Sequence, residues 1–437
     1  MNHTSKAEWR SLLAALNRSL FAGLDNAEAS AFQHRSLRRM AEVASARSAY
    51  YRQRLAPAMG PSGLRIERWR DIPILTKPEL GQNRAQILNT RPGPETGPVR
   101  MGWTSGSEGE PLNYGRSDLA DQISRRITQR FLRLWKTDGR ERFAQIVSTR
   151  QEANGTPEPT QRRGWLEGQG SGEFHVFPVA TDLRRHLAWL HAIRPSYLKS
   201  YPEVLAELAR QSLRQGRMLP MRLLISGGGV LTDDIRRLCR EAFGCAIADF
   251  YGAEEVGSIA DQCPNCGEYH VCGENVFLEI VAEDGRAAAP GETGRAVVTT
   301  LFNDAFPLVR YQIGDHVVAG GSTSCSRPAL QMLSQVKGRS SAIFRLKGGR
   351  ALWPFIPSDE MARLANVQRF QFVQVADDLV EFRYVPRDGV GGVDELLLRH
   401  LVKAFIDPSL EVRSVASARL ERDENHKYAI YRSLLTS

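Results

Sequence analysis

The chain has 437 residues, of which 42% are hydrophobic and 24% are charged, so it has room for two or three domains with ordinary globular cores. Lysine and arginine outnumber aspartate and glutamate by 58 to 49, which gives a net charge of +9. No apolar run approaches the roughly 18 residues that a membrane helix needs, and the first residues are polar. The sequence therefore predicts no membrane span, no secretory signal and a cytoplasmic location.

Helices are predicted in the first third of the chain. Residues from about 5 to 60 should form two helices that cover the main domain, because apolar side chains such as Trp9 and Leu12 recur at helical spacing. A third helix is predicted over Ser117–Trp135, where apolar residues recur every four positions and form a stripe. The arginines beside this stripe, Arg130 among them, are typical of a solvated helix face, so no nucleic-acid partner is predicted.

The middle of the chain predicts an α/β domain. Gln151–Gly172 has no apolar period and is predicted to be a mobile loop. After it, short apolar strands alternate with helices as far as Phe250, which is typical of a sheet with helices on its faces and functional loops at its strand ends. A β-rich segment is predicted over Val276–Val318.

The pattern changes beyond Gly338. Strand, strand, helix and strand are predicted there over Arg369–Val375, Leu379–Tyr384, Val393–Phe405 and Leu410–Leu420. The sequence thus predicts an α/β fold with a large domain at 1–337, of mixed sheets and helices, and a small α+β domain at 338–437.

Four potential metal ligands fall within ten residues, in the segment 263–272. They are Cys263, Cys266, His270 and Cys272. Two close pairs of such ligands can close a tetrahedron around zinc with bonds of about 2.0 to 2.3 Å, and Gly267 permits the turn between the pairs. A zinc ion with four protein ligands would be structural. The alternative is a loop of reduced cysteines, with His270 packed in a strand.

A loop of hydroxyl and glycine residues is a candidate phosphate site. It contains Thr104, Ser105, Gly106, Ser107 and Gly109. Backbone N–H and side-chain O–H groups of such a loop can converge on phosphate oxygens. No Lys-Ser/Thr pair follows, so it is not a Walker-type P-loop, and a glycine-rich hairpin turn is the alternative.

Three further motifs suit the adenosine half of a nucleotide. Gly227–Gly229 follow a buried strand and permit close approach of a flat base to the backbone. Tyr251, which begins the run Tyr251–Glu255, offers a ring for stacking. Asp315 can accept hydrogen bonds from two ribose hydroxyls; the alternative is an aspartate that caps a turn.

In their order and spacing these motifs, together with Arg310–Asp315 and Gly338-Arg339, resemble those of the adenylate-forming (AMP-forming) ligase superfamily. The resemblance is greatest to its phenylacetate-CoA ligase-like and capsule-biosynthesis-like branch, and it extends from about residue 98 to about residue 350. It implies a large adenylation domain, a small mobile C-terminal domain, and ATP, Mg²⁺ and CoA as cofactors. The implied reaction activates a carboxylic acid as an acyl-adenylate and transfers it to CoA; an amine or a carrier-protein thiol is the alternative acceptor.

The resemblance also implies roles for individual residues. The nucleotide would be bound by the phosphate loop and by Gly227, Gly228, Gly229, Tyr251, Gly252, Asp315 and Arg339. Glu255 matches the magnesium-binding glutamate of the family. Lys427 matches the lysine that supports attack of the carboxylate on the α-phosphorus.

The chain departs from the family close to the predicted nucleotide. Glu108 and Glu254 replace hydroxyl residues, Glu110 replaces a residue that is commonly basic, and Ser340-Ser341 replaces the usual hinge aspartate. These departures leave open a nucleotide-binding relative without catalytic activity. The Cys-x-Cys-Gly-Arg element of related ligases has become Thr323–Arg327, which predicts no second metal site.

Overall fold

The computed structural model describes most of the chain. The described residues are 11–17, 26–61, 63–90, 92–103, 113–148, 158–179, 181–321, 325, 331–337, 344–352, 354, 356, 358–361, 363–364, 367–386, 392–417, 420 and 430–435. Among them, every helix is too short or too polar to cross a membrane. Two compact units are present, one formed by Met1–Gly102, Asn113–Lys136 and Phe250–Gly338, the other by Trp103–Leu112, Thr137–Asp249 and Arg339–Ser437.

The principal helices and strands, numbered in chain order, have the following bounds. The helices are α1 Asn26–Arg47, α2 Ala49–Leu55, α3 Lys77–Ile87, α4 Asp118–Leu134, α5 Leu183–Ile193, α6 Pro202–Arg214, α7 Asp233–Phe243, α8 Ser358–Met361 and α9 Glu395–Phe405. The strands are β1 Met59–Gly60, β2 Gly63–Leu64, β3 Val99–Trp103, β4 Asn113–Ser117, β5 Phe143–Val147, β6 Thr160–Arg163, β7 Glu173–Pro178, β8 Tyr197–Ser200, β9 Leu223–Gly227, β10 Ala246–Ala253, β11 Gly257–Gln262, β12 Tyr269–Val271, β13 Val276–Val281, β14 Thr293–Thr300, β15 Tyr311–Ala319, β16 Met332–Lys337, β17 Phe344–Leu346, β18 Arg350–Leu352, β19 Val367–Ala376, β20 Leu379–Pro386, β21 Glu411–Ala416 and β22 Tyr431–Ser433.

The first unit is built on an antiparallel sheet. Its strand order is β13-β14-β15-β16-β12-β11-β10. Where two helices were predicted over residues 5–60, the described residues form three helical segments, at 11–17, α1 and α2. The buried side chains of α1 include Phe32, Leu37 and Met40. Arg39 of α1 makes a fork of two hydrogen bonds to Asp304, at 2.9 and 2.5 Å. Both side chains are buried, so this pair binds the helix to the chain beyond β14 with geometric specificity.

Helix α4 confirms the predicted stripe. The Ser117 side chain accepts a hydrogen bond from the Ala120 N–H and caps the helix, and Ile123, Ile127 and Phe131 are buried. Arg130 was wrongly placed on a solvated face. It is four-fifths buried and forms ion pairs with the carboxylates of Glu274 and Asp261, because the sheet carries acidic side chains where it meets this helix.

The second unit contains the predicted alternation of strands and helices. Strands β7, β5, β8 and β9 run parallel, and β6 pairs antiparallel with β7 at the edge. The mobile loop predicted over Gln151–Gly172 is therefore wrong for Thr160–Leu166. Trp165 and Leu166 are buried, and the Trp165 ring lies 4.9 Å from that of Phe143. Their burial stabilises the turn after β6, which the polar residues of the strand itself do not reveal.

Packing in this unit places one histidine in the core. His186 of α5 is fully buried, its ring stands edge-on to Phe177, and its Nε2 lies 2.9 Å from the carbonyl oxygen of Pro178. Burial lowers the pKa of His186 to about 4. The neutral ring is therefore the form that the fold stabilises.

We expect this histidine to contribute to acid unfolding. Because its pKa is near 6.5 in an unfolded chain and about 4 in the fold, stability present above pH 6.5 should be lost as the pH falls towards 4. The loss should reach about 3 kcal/mol. Unfolding free energies of wild type and His186→Gln, measured at pH 7.5, 5.5 and 4.5, should differ least at the lowest pH. The same pH dependence of the unfolding free energy in wild type and in His186→Gln would contradict this role.

The C-terminal part of the second unit has a hydrophobic core of its own. All buried members of that core, which include Phe344, Phe372, Phe382 and Leu401, lie between residues 344 and 431. The sheet order is β21-β20-β19-β22, and α9 packs on β21. The predicted strand, strand, helix, strand order is confirmed. A separate core is what an independent small domain requires, and the boundary after residue 337 stays a prediction.

Candidate functional site

The predicted base-stacking and ribose-binding residues of the first unit are hydrogen-bonded to each other. Tyr251 lies near the end of β10 and Asp315 in the middle of β15, 64 residues further along the chain. The Tyr251 hydroxyl donates to Asp315 Oδ2 at 2.9 Å. An ionised carboxylate has about four acceptor positions, so this bond leaves capacity for the hydroxyls of a ribose.

The predicted magnesium-binding residue is close to the same strands. Glu255 follows β10 in the turn to β11, is 7% exposed, and accepts a hydrogen bond from the Tyr311 hydroxyl at 3.3 Å. Tyr311 begins β15, the strand that also carries Asp315. Strand β15 thus carries Asp315 itself, and its Tyr311 positions Glu255 through a hydrogen bond.

A second carboxylate lies beside the first. Glu254 is exposed to solvent, yet the surrounding protein and the charge of Glu255 raise the pKa of its carboxyl to about 7. Burial and the charge of Glu254 also raise the pKa of Tyr114 on β4. A carboxyl group whose ionisation is disfavoured by an adjacent carboxylate is a chemically suitable environment for a divalent cation.

In the second unit, the carboxyl ends of parallel strands bring polar groups together. Ser148 follows β5 and Tyr201 follows β8, and their hydroxyl oxygens are 3.0 Å apart. Gly227 ends β9, and a Cβ on Gly228 would lie 3.0 Å from the Tyr201 ring. This edge of a parallel sheet is where α/β proteins commonly bind ligands.

The close approach at Gly228 carries a testable consequence. Its φ of +77° is strained for residues with a Cβ, and Tyr201 occupies the space that the Cβ would need. We expect Gly228→Ala to lower the unfolding free energy by roughly 1 to 3 kcal/mol more than Gly216→Ala. Gly216 has a φ of +61° with no atom near its Cβ position, so it controls for backbone strain alone. If urea titrations show equal losses of unfolding free energy in the two variants, the Tyr201 contact does not add to the cost at Gly228.

The metal-ligand cluster predicted in the first unit has a different fourth member. Cys263, Cys266, His270 and Cys325 offer ligand atoms that all lie within 4.8 Å of one another. Cys266 Sγ is 3.3 Å from His270 Nε2, and Cys263 Sγ is 3.8 Å from Cys325 Sγ. Cys272 is fully buried and is not part of this group.

The reason for the difference is the geometry of β12. His270 lies within this strand and Cys272 follows its end. Each strand residue adds about 3.3 Å, so Cys272 lies about 6.6 Å beyond His270, too far from the turn that holds Cys263 and Cys266. Cys325 comes from Thr323–Arg327, where the sequence predicted no second metal site, and it joins the cluster of Cys263 rather than forming another.

Several predicted site residues lie outside the described part of the chain. They are Thr104, Ser105, Gly106, Ser107, Glu108, Gly109 and Glu110 of the phosphate loop, with Arg339, Ser340, Ser341 and Lys427. The described part of the predicted site therefore consists of the residues predicted to bind adenosine and magnesium.

Two residues near the candidate sites were missed from the sequence. Tyr311 belongs to the motif Arg310–Asp315, in which a role was predicted only for Asp315, and its hydroxyl contacts Glu255. Cys325 was dismissed because its surrounding element had lost the second cysteine. Each residue lies inside a motif that resembles one of the family, and that membership was the available sign of a role in the site.

Comparison with known proteins gives relatives of one kind. A phenylacetate-coenzyme A ligase of Pseudomonas putida is 24% identical over 60% of this chain and 63% of its own length. One of Thermus thermophilus is 25% identical over 73% of this chain and 72% of its own length. The match thus spans less than two thirds of the Pseudomonas protein. No protein-family model matches the sequence.

Solved structures with the same fold include 2-hydroxyisobutyryl-CoA ligase. Its complex with 2-HIB-AMP and CoA in the thioesterification state has a TM-score of 0.58, 16% identity, and coverage of 99% of this chain and 91% of that chain. An open conformation of the same ligase has a TM-score of 0.56, 16% identity, and coverage of 93% and 92%. These likenesses establish the fold.

The sequence relatives and the fold agree with the motifs found in the chain. The hydrogen bond from Tyr251 to Asp315 joins two of those motifs in space, as a shared nucleotide site requires. The chain is thus similar in sequence to phenylacetate-coenzyme A ligases, and it has the fold of 2-hydroxyisobutyryl-CoA ligase.

Proposed function

We propose that this protein is an AMP-forming ligase that converts a carboxylic acid into its CoA thioester. In the first half-reaction, a carboxylate oxygen of the acid attacks the α-phosphorus of ATP, and the bond to pyrophosphate breaks. In the second, the CoA thiol attacks the acyl carbonyl and loses its proton, and AMP leaves. The observation that carries this proposal is the Tyr251 to Asp315 hydrogen bond beside Glu255, within an adenylate-forming fold.

Each described residue of the site has a physical role in the proposal. Tyr251 offers a ring face to adenine, and Asp315 accepts ribose hydroxyls while the Tyr251 hydroxyl holds its carboxylate in place. Together they orient the nucleotide, which reduces the entropy that the reaction must otherwise lose in its transition state.

Magnesium is part of the same proposal. Glu255 would bind it, because a hard cation prefers carboxylate oxygens and the Tyr311 hydroxyl fixes one of these oxygens. Glu254 is the adjacent candidate. The ion would supply positive charge to the phosphates of ATP, whose negative charge otherwise repels the attacking carboxylate.

We also propose one zinc ion per chain, supported by the cluster around Cys263. Four protein ligands leave no position for a substrate, so this metal would stabilise the fold and take no part in the reaction.

The cytoplasm is the location that we propose for this reaction. None of the six cysteines forms a disulfide in the structure, which is typical of a reducing compartment, and ATP and CoA are both available in the cytoplasm.

Exchange of radioactive pyrophosphate into ATP tests the first half-reaction. With a panel of aromatic and aliphatic acids and no CoA, we expect at least one acid to stimulate exchange well above the acid-free rate. Added CoA should then release AMP and stop the exchange as adenylate is consumed. AMP release that requires an amine or a carrier-protein thiol instead of CoA would identify that compound as the acyl acceptor. Absence of exchange with every acid would indicate a nucleotide-binding relative without catalytic activity.

A further inference from the structure

The cysteine and histidine cluster joins two segments that are far apart in the sequence. Cys263 and Cys266 lie in the turn between β11 and β12, His270 lies in β12, and Cys325 lies between β15 and β16. Strand β12 pairs with β11 on one side and with β16 on the other. Cys325 is thus brought to the turn by the order of the strands.

Two of the separations between ligand atoms match those of a tetrahedral metal site. Zinc bonds of about 2.0 Å to nitrogen and 2.3 Å to sulfur place neighbouring ligand atoms about 3.3 to 3.8 Å apart. The observed separations are 3.3 Å between Cys266 Sγ and His270 Nε2 and 3.8 Å between Cys263 Sγ and Cys325 Sγ. A disulfide would need about 2.05 Å between sulfur atoms.

The turn itself is shaped for thiolates. Gly267 has a φ of +78°, and its N–H donates to the Cys263 carbonyl oxygen at 2.9 Å, which closes the turn. Backbone N–H groups of Asn265 and Cys266 are directed at the Cys263 sulfur. Peptide dipoles arranged in this way stabilise negative charge on a sulfur ligand.

Cys272 has a different environment. Its N–H donates to the Ile259 carbonyl oxygen at 2.8 Å, and its sulfur interacts electrostatically with Arg130 of α4. That guanidinium also pairs with Glu274. Cys272 therefore packs at the end of the strand next to a cation, which opposes the binding of a metal ion there.

We infer that Cys325, and not Cys272, completes the zinc site with Cys263, Cys266 and His270. The inference rests on the proposed zinc ion and adds its ligand set. One metal then joins the β11–β12 turn to the segment that precedes β16, since Cys325 lies 62 residues beyond Cys263 in the chain. The free energy of metal binding therefore also stabilises the folded position of that segment.

Zinc content of three proteins, purified without added metal and dialysed identically, tests the inference. We expect about one zinc per chain in wild type and in Cys272→Ser, and a severalfold lower content in Cys325→Ser. Retained zinc in Cys325→Ser with loss in Cys272→Ser would overturn the inference while the proposed zinc ion stands. Wild type without zinc would overturn both the inference and the proposed zinc ion, whether or not a thiol titration shows a Cys263–Cys325 disulfide.

A ligand-restoring variant separates a direct role of Cys325 from a folding defect. Cys325→His offers an imidazole in place of the thiolate, so it should recover most of the zinc that Cys325→Ser loses. Cobalt-substituted protein gives a second measurement, because the sulfur-to-cobalt absorption scales with the number of thiolate ligands. We expect three thiolates in wild type and in Cys272→Ser, and two in Cys325→His. Three in Cys325→His would contradict the inference.

Discussion

Asp315→Ala and Glu255→Gln should each reduce the rate of pyrophosphate exchange by on the order of tenfold to a hundredfold. Asp315→Ala removes the carboxylate that accepts from the Tyr251 hydroxyl and would bind the ribose, and Glu255→Gln removes the charge that would hold magnesium. A hydrogen bond to a charged group contributes about 1.5 to 3 kcal/mol, and each 1.4 kcal/mol is tenfold in rate. Steady-state exchange at saturating acid, with ATP and magnesium varied, measures both losses.

Tyr251→Phe provides a matched control for the aspartate. It keeps the ring that would stack on adenine and removes only the hydroxyl that donates to Asp315. We expect a loss smaller than that of Asp315→Ala, because the carboxylate remains and is only less well oriented. For the glutamate, a higher magnesium concentration should recover part of the activity. Near-normal exchange in both Asp315→Ala and Glu255→Gln, with unchanged thermal unfolding, would refute the assigned site.

Lys427→Ala should impair acyl-adenylate formation by a similar factor and spare thioester formation from a preformed acyl-adenylate. The first half-reaction develops negative charge on the α-phosphate and the bridging oxygen, which an ammonium group stabilises, and the second does not need this group. Pyrophosphate exchange measures the first step. Single-turnover AMP release from synthetic adenylate and CoA measures the second.

Lys403→Ala is the control for a general loss of positive charge. Lys403 lies on α9, is 43% exposed in its side chain, and forms an ion pair with Glu411 at 2.8 Å. An exposed pair of this kind contributes little stability, so both half-reactions should stay near the wild-type rate. Equal losses of both half-reactions in Lys427→Ala would indicate a structural role for that lysine.

Local signals in the sequence were sufficient for most helices and strands. Helix α7 begins after Thr232, whose side chain accepts a hydrogen bond from the Ile235 N–H, and it ends before Gly244 in the left-handed conformation. Both capping residues are readable without a structure. The C-terminal strands and α9 were likewise predicted, because apolar periods of two and of about four residues separate strands from helices.

Contacts between distant segments could not be predicted in the same way. Strand β6 has four exposed polar residues and exists because it pairs with β7. Arg130 appeared solvated because its partners are more than a hundred residues away, Asp261 in β11 and Glu274 in the turn before β13. Cys325 reaches the turn that holds Cys263 and Cys266 through the order of β11, β12 and β16. Local spacing carries no information about strand order, so these partners required the structure.

The proposed reaction as a whole is tested by the products formed from ATP, magnesium, CoA and an acid that stimulates exchange. Liquid chromatography with mass spectrometry should detect acyl-CoA, AMP and pyrophosphate in equal amounts, with formation of all three dependent on the acid. ADP and phosphate in place of AMP and pyrophosphate, or AMP without acyl-CoA at saturating CoA, would contradict an AMP-forming CoA ligase.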